Sequence, residues 1–162
     1  MRYELPTPSG DGFSAAYKLQ HGGPKIDCVL APLPCWDGLH PVALYCRGMA
    51  LLDTGSDVTL VRQSCLVDLK IPAMNGETRD SSGGDATLTK HEGVCIAFPQ
   101  VNFRKIPLEI VFASPLKRTP DVIAVIGRDV LQHFRMTYDG LSGMVILDDK
   151  QDSATGTVHR IG

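Results

Sequence analysis

Long apolar runs are missing from this sequence. The longest, such as residues 42–46 and 122–126, reach five residues, far short of the roughly 20 that a helix needs to cross a bilayer. No membrane-spanning segment is expected. Glu4, Pro6 and Pro8 interrupt the start, where a secretory leader would need a continuous apolar stretch. Charge of one sign is missing too: 16 Lys and Arg stand against 18 Asp and Glu, a net charge of −2. Without a basic field, neither nucleic acid nor an anionic membrane is an expected partner. Cysteines number five, an odd count with no Cys-x-x-Cys pair. A disulfide framework or zinc site is therefore not expected, and most of the five read as reduced packing residues of a cytoplasmic protein. The five histidines are dispersed without ligand spacing, so no metal is assigned.

What is present is enough apolar material for one core. Leu, Ile, Val and Phe supply about 27% of the 162 residues, above the level at which chains stay disordered. The length suits one domain and is short for two. Residues 1–24 carry three prolines and four glycines with little periodicity and read as an N-terminal arm or irregular edge. Residues 25–149 form the expected domain, and residues 150–162 a solvated tail.

Within the domain, short apolar runs bounded by turn residues occur at 26–31, 42–46, 49–53, 58–61, 93–98, 106–112, 122–126, 134–138 and 144–147. Their spacing predicts strands. Arg47-Gly48 and the Asp139-Gly140 to Ser142-Gly143 stretch are expected hairpin turns. Two helical stretches are expected: residues 62–69, stopped by Pro72, and a turn or two at 128–133. The fold class that follows is all-β: a small, closed, antiparallel β-barrel with one or two short helices.

One segment carries chemistry. In Leu51-Leu52-Asp53-Thr54-Gly55-Ser56-Asp57-Val58-Thr59-Leu60-Val61 a carboxylate ends one apolar strand, a hydroxyl residue and a glycine make a turn, and a second apolar strand leaves. The flanking strands favour burial, so Asp53 is held where solvation is poor and a charge is costly. Gly55 allows close backbone approach.

Here the sequence resembles the retropepsin-like aspartic proteases, the retroviral proteases and their cellular and bacterial relatives. The resemblance rests on Leu51-Leu52-Asp53-Thr54-Gly55-Ser56 and, downstream, Val125-Ile126-Gly127-Arg128-Asp129-Val130-Leu131. It covers residues 41–147. It implies a retropepsin-type barrel, peptide-bond hydrolysis without a cofactor, a peptide or protein substrate, and an active site on a twofold axis between two copies of the chain. Attack of water on a carbonyl needs one group to take a proton and another to give one. With a single Asp-Thr-Gly per chain, the second carboxyl must come from a homodimer partner. Carboxylates about 3 Å apart repel by about 5 kcal/mol at an effective dielectric of ~20, so the pair shares one proton.

The resemblance also implies supporting roles. Thr54 braces the two turns across the dimer axis, Gly55 supplies backbone, and Ser56 can donate to the outer carboxylate oxygen. Gly127 lets the chain pass beneath the turn, and Arg128 pairs with Asp57. Ser81, Ser82, Gly83 and Gly84 fall at the tip of the flap, the hairpin that closes over substrate, and here the tip is unusually polar.

Plainer readings stand beside these. Asp53 as a strand-end cap leaves the second motif unexplained, and Asp129 reads as a cap on the short helix. Ser114-Pro115-Leu116-Lys117 matches a Ser-x-x-Lys pattern, but its prolines disfavour the helix that such chemistry needs. The rival function is a catalytically silent barrel that binds a peptide or mediates dimerisation. Another possibility is a protease domain cut from a larger precursor.

Overall fold

Strands form where apolar side chains repeat on one side of the chain, and their inner faces meet in a single core. The computed structural model describes residues 15–33, 44–80, 87–101, 104–149 and 159–161. In chain order the elements are α1 (Ala15–Gly22), β1 (Lys25–Pro32), β2 (Cys46–Leu52), β3 (Leu60–Arg62), α2 (Gln63–Asp68), β4 (Ala73–Asp80) and β5 (Thr87–Phe98). They continue with β6 (Arg104–Ser114), β7 (Val122–Ile126), α3 (Arg128–Leu131), β8 (Phe134–Asp139), β9 (Met144–Asp149) and β10 (His159–Ile161).

The main sheet runs β1-β2-β7-β3-β6-β5 and returns from β5 to β1, so these strands close into a six-stranded barrel. Closure depends on β5. One side of this strand pairs with β6 from Thr89 to Phe98. The other side is divided: Val94–Ala97 pair with β1, and Thr87, Leu88, Thr89 and His91 pair with β4. The change of partner falls at Gly93, whose φ of 52° is a left-handed conformation that costs glycine little. β4 thus pairs with the first half of β5, the stretch where the flap is expected. Ser81, Ser82, Gly83 and Gly84 at its tip lie outside the described residues.

The closed β-barrel expected from the sequence is what the chain forms, with one refinement. Two of its ladders, β2–β7 and β3–β6, are parallel. These pairs are far apart in sequence, so no tight turn forces them antiparallel.

The inward residues include Ile26, Cys28 and Leu30 of β1, Ala50 and Leu52 of β2, Val61 of β3, Val94, Ile96 and Phe98 of β5, Ile106 of β6 and Ile126 of β7. Leu66 of α2 plugs the barrel with no exposed surface, and Phe134 of β8 meets Phe98 edge to face at 5.8 Å. Burying side chains of this size contributes about 1.5–3 kcal/mol each. A smaller sheet, β10-β9-β8, lies beside the barrel. Its Val145 and Leu147 join the same core.

Three local expectations change. Arg47-Gly48 is no hairpin: β2 runs straight through it, with Gly48 opposite Cys28. Glycine is needed there because an added Cβ would come within 2.9 Å of Ile123 Cγ2. The segment read as an arm contains α1, whose Leu19 is 6% exposed and part of the core. The thiols of Cys28, Cys46 and Cys65 are free, but Cys95, buried in β5, is disulfide-bonded. The second expected hairpin is present, and the Asp139 carboxylate holds it by accepting from Leu141 N, Ser142 N and Ser142 Oγ.

Candidate active site

β2 ends at Leu52 because the next residue turns out of the sheet, yet the parallel alignment with β7 persists one step further. Asp53 N donates to Ile126 O at 3.0 Å. The turn then closes on itself: Ser56 N donates to Asp53 O at 3.2 Å, and Gly55 N donates to Asp53 Oδ1 at 2.9 Å. The carboxyl is therefore anchored through one oxygen by backbone. Asp53 is half-buried, while Thr54, Gly55 and Asp57 are exposed at the surface of the protomer.

Ser56 behaves differently from its expected role. Its hydroxyl donates to Val58 O at 2.6 Å, and a hydroxyl has one proton to give. In this protomer that proton stiffens the turn and does not go to the Asp53 carboxylate.

The second motif lies directly against the turn. Arg128 N donates to Ser56 O at 2.9 Å, and Arg128 Nη1 donates to Thr54 O at 2.9 Å. Gly127 leaves no room for a side chain, since an added Cβ would lie 2.4 Å from Val58 O and 2.5 Å from Val58 C. The expected close passage at Gly127 is present.

Two residues given no site role from sequence complete the junction. Thr59 has no exposed surface, and its Oγ1 accepts from Gly127 N at 3.1 Å while donating to Asp129 Oδ1 at 2.7 Å. Asp129 Oδ2 accepts from Thr59 N at 2.8 Å, and Oδ1 also accepts from Val130 N at 2.9 Å. Asp129 is not the cap of its helix, whose N-cap is Gly127; its carboxylate instead ties that helix to the strand leaving the Asp53 turn. The sequence signal was available: a hydroxyl residue in an apolar run, and an acidic residue where the second motif enters its helix.

On the outer side of β2, away from the main core, Leu51 and Leu60 pack against buried Leu116, Val122 and Val125. These residues form a second, smaller apolar cluster on the face of β2 opposite the barrel interior. Beside it, Lys25 Nζ and Asp121 Oδ2 form an ion pair at 2.6 Å, and Lys25 is registered opposite Leu51. The hydrogen bond from Lys25 holds the Asp121 carboxyl below its ordinary range. Arg62 fixes the segment leading into β7 by donating to the carbonyls of Val122, Thr119 and Pro120. Among the described residues no group of three or more His, Cys, Asp or Glu could hold a metal ion, and no helix is long and apolar enough to cross a membrane.

No protein-family model matches the chain. No curated protein matches it either. Among solved structures, the chain is similar to EIAV protease complexed with the inhibitor HBY-793, at 23% identity over 53% of this chain and 75% of that one, with a TM-score of 0.40.

Proposed function

We propose that this chain is an aspartic endopeptidase that works as a homodimer, with Asp53 from each copy activating the attacking water. The observation that carries the reading is the turn itself. Asp53 is pinned by Gly55 N and braced from behind by Arg128 and the Gly127 passage. Its Thr54 and Gly55 remain exposed, as a surface meant to meet a second copy must.

In the dimer the two Asp53 carboxyls share one proton. The ionised member removes a proton from water as it attacks the carbonyl carbon, and the protonated member hydrogen-bonds to the carbonyl oxygen and supplies its proton. Thr54 braces the paired turns, and Asp57 with Arg128 supports each turn from its own subunit. No cofactor is required. The substrate is a peptide in extended conformation, lying as an added strand between the barrel and the β4–β5 hairpin. Apolar side chains around the scissile bond are the expected preference for a strand added in this way.

The test is cleavage of a peptide library at roughly pH 4 to 7 by the wild type and Asp53→Asn, with sedimentation to fix the oligomer. Cleavage by a wild-type dimer and its loss in Asp53→Asn is the expected result. Equal behaviour of the two proteins would establish the silent binding module instead.

A further inference from the structure

β4 does not keep step with its partner. Ala73 is registered opposite His91 and Thr78 opposite Thr89, so that Met74, Asn75, Gly76 and Glu77 stand against Lys90 alone. A surplus of this kind is a bulge, where the extra residues lose their ladder partners and the strand bends. β4 is also the last strand of its sheet, with no other strand on its free side among the described residues. The stretch is held at both ends. Before it, His91 Nδ1 hydrogen-bonds to Ile71 O at 3.2 Å and Glu92 N donates to Pro72 O at 3.4 Å. After it, Thr78, Arg79 and Asp80 resume the ladder with Thr89, Leu88 and Thr87. Inside it lies Asn75-Gly76, the sole Asn-Gly dipeptide of the chain.

We propose that Asn75-Gly76 is a site of self-modification, at which the main chain converts Asn75 into a mixture of aspartate and isoaspartate. The Gly76 nitrogen attacks the Asn75 amide carbon and gives up its proton. The bond from that carbon to the amide nitrogen breaks, the nitrogen takes up a proton and leaves as ammonia, and a succinimide ring remains. Water then opens the ring at either of its two carbonyls. One opening restores the main chain with an aspartate side chain, and the other routes the main chain through the former side chain as isoaspartate. Water is the sole co-reactant, and nothing is oxidised or reduced.

The nucleophile belongs to the next residue, so the reaction needs no contact made by folding. What folding controls is rotation. Ring closure requires the asparagine to leave the extended backbone range that a regular ladder enforces, and it requires a Gly76 N–H that is not committed to a neighbouring strand. The bulge relaxes both restraints, and glycine brings no Cβ to crowd the nitrogen or hinder the rotation. The product carries a negative charge beside Glu77, and isoaspartate lengthens the main chain by one carbon ahead of Thr78. The register of Thr78, Arg79 and Asp80 with β5 must then adjust. Because β4 lies where the flap is expected, conversion would alter closure over a substrate; that consequence rests on the peptidase reading, and the conversion itself does not.

The full chain and a synthetic peptide of residues 71–80, aged side by side in mildly alkaline buffer, test this. Peptide mapping and isoaspartyl methyltransferase labelling follow Asn75, with Gly76→Ala and Asn75→Gln alongside. Local opening costs little in an irregular edge segment, so the folded chain should convert within about tenfold of the peptide's rate. Both products are expected, forming more slowly in mildly acidic buffer because Gly76 must lose its proton, slowed in Gly76→Ala and absent from Asn75→Gln. Asn75 intact in the folded chain, or converting more than about tenfold slower than in the peptide, would overturn the proposal. Aspartate without isoaspartate would overturn it too, since direct hydrolysis of the amide gives that result without Gly76. The comparison of wild-type chain with peptide decides the matter even if a variant fails to fold. No readout requires peptide cleavage by the protein, so failure here leaves the peptidase reading standing, and the reverse also holds.

Discussion

Asp129 grips Thr59 at two points, taking the backbone N–H on Oδ2 at 2.8 Å and the side-chain hydroxyl on Oδ1 at 2.7 Å. Because Thr59 Oγ1 simultaneously accepts from Gly127 N, its proton is committed to Asp129. With Val130 N added, every partner of this carboxylate is a donor. The junction between the Asp53 turn and the second motif therefore needs a pure acceptor at residue 129.

Asp129→Asn is consequently expected to be damaging despite its identical shape. Its amide would place N–H groups against either Thr59 N or the Thr59 hydroxyl and Val130 N. Leaving a buried group unpaired costs about 1–3 kcal/mol, to be read from urea unfolding. If the peptidase reading holds, kcat should fall with little change in KM, since the damage loosens the turn carrying Asp53 and leaves the rest of the barrel intact. A variant as stable and active as the wild type would show that the contact does not brace the site.

Gly127→Ala tests the neighbouring contact. A methyl group 2.4 Å from Val58 O meets backbone, which cannot rotate away as a side chain can. The strand leaving the turn must move, at a cost of about 1–3 kcal/mol or more. Thermal melting should fall and cleavage should drop, whereas Gly48→Ala, which meets only the Ile123 side chain, should be the milder of the two.

Arg128→Ala removes the donor to Thr54 O and, on the proposed reading, the partner of Asp57. A hydrogen bond from a charged group is worth about 1.5–3 kcal/mol, and exposure of this side chain places the loss at or below the lower figure. The chemistry of Asp53 is untouched. The expected signature is a weaker dimer by sedimentation, with cleavage recovered at higher protein concentration. Unchanged sedimentation and melting would remove Arg128 from the supporting set.

Where the chain states its structure plainly, one physical signal dominates. The unbroken run of residues 122–126 is β7 to the residue, since a strand buried on both faces has no polar positions to blur it. Leu51-Leu52-Asp53 marks the end of β2 because the carboxyl cannot continue an apolar strand. β4 carries no such run: Ala-Met-Asn-Gly-Glu-Thr-Arg-Asp pairs on one side only and needs no apolar alternation, so a strand there is suggested only by the hairpin expected around Ser81–Gly84. α1 was hidden by the glycines and proline that follow it. Gly48 carried the composition of a turn while serving a close approach between β2 and β7. The Asp53 segment and its second motif were legible, but the Asp129–Thr59 contact spans 70 residues and exists only once the two segments cross.

The ion pair between Lys25 and Asp121 gives the pH prediction. The Lys25 hydrogen bond holds the Asp121 carboxyl below its ordinary value, so this group is easier to ionise in the folded than in the unfolded chain. Its contribution is fully present above the unfolded value and disappears as pH falls through the depressed folded value. Asp121 is more than half exposed, and solvent screening limits the contribution to well under 1 kcal/mol. Asp121→Asn should therefore melt slightly below the wild type at pH 6 in low salt. The gap should close at molar salt, where charges are screened within about 3 Å, and again in strong acid once the wild-type carboxyl is protonated. A gap that persists under both conditions would mean that the residue contributes through packing or backbone geometry, and the attraction between Lys25 and Asp121 would then be irrelevant to stability.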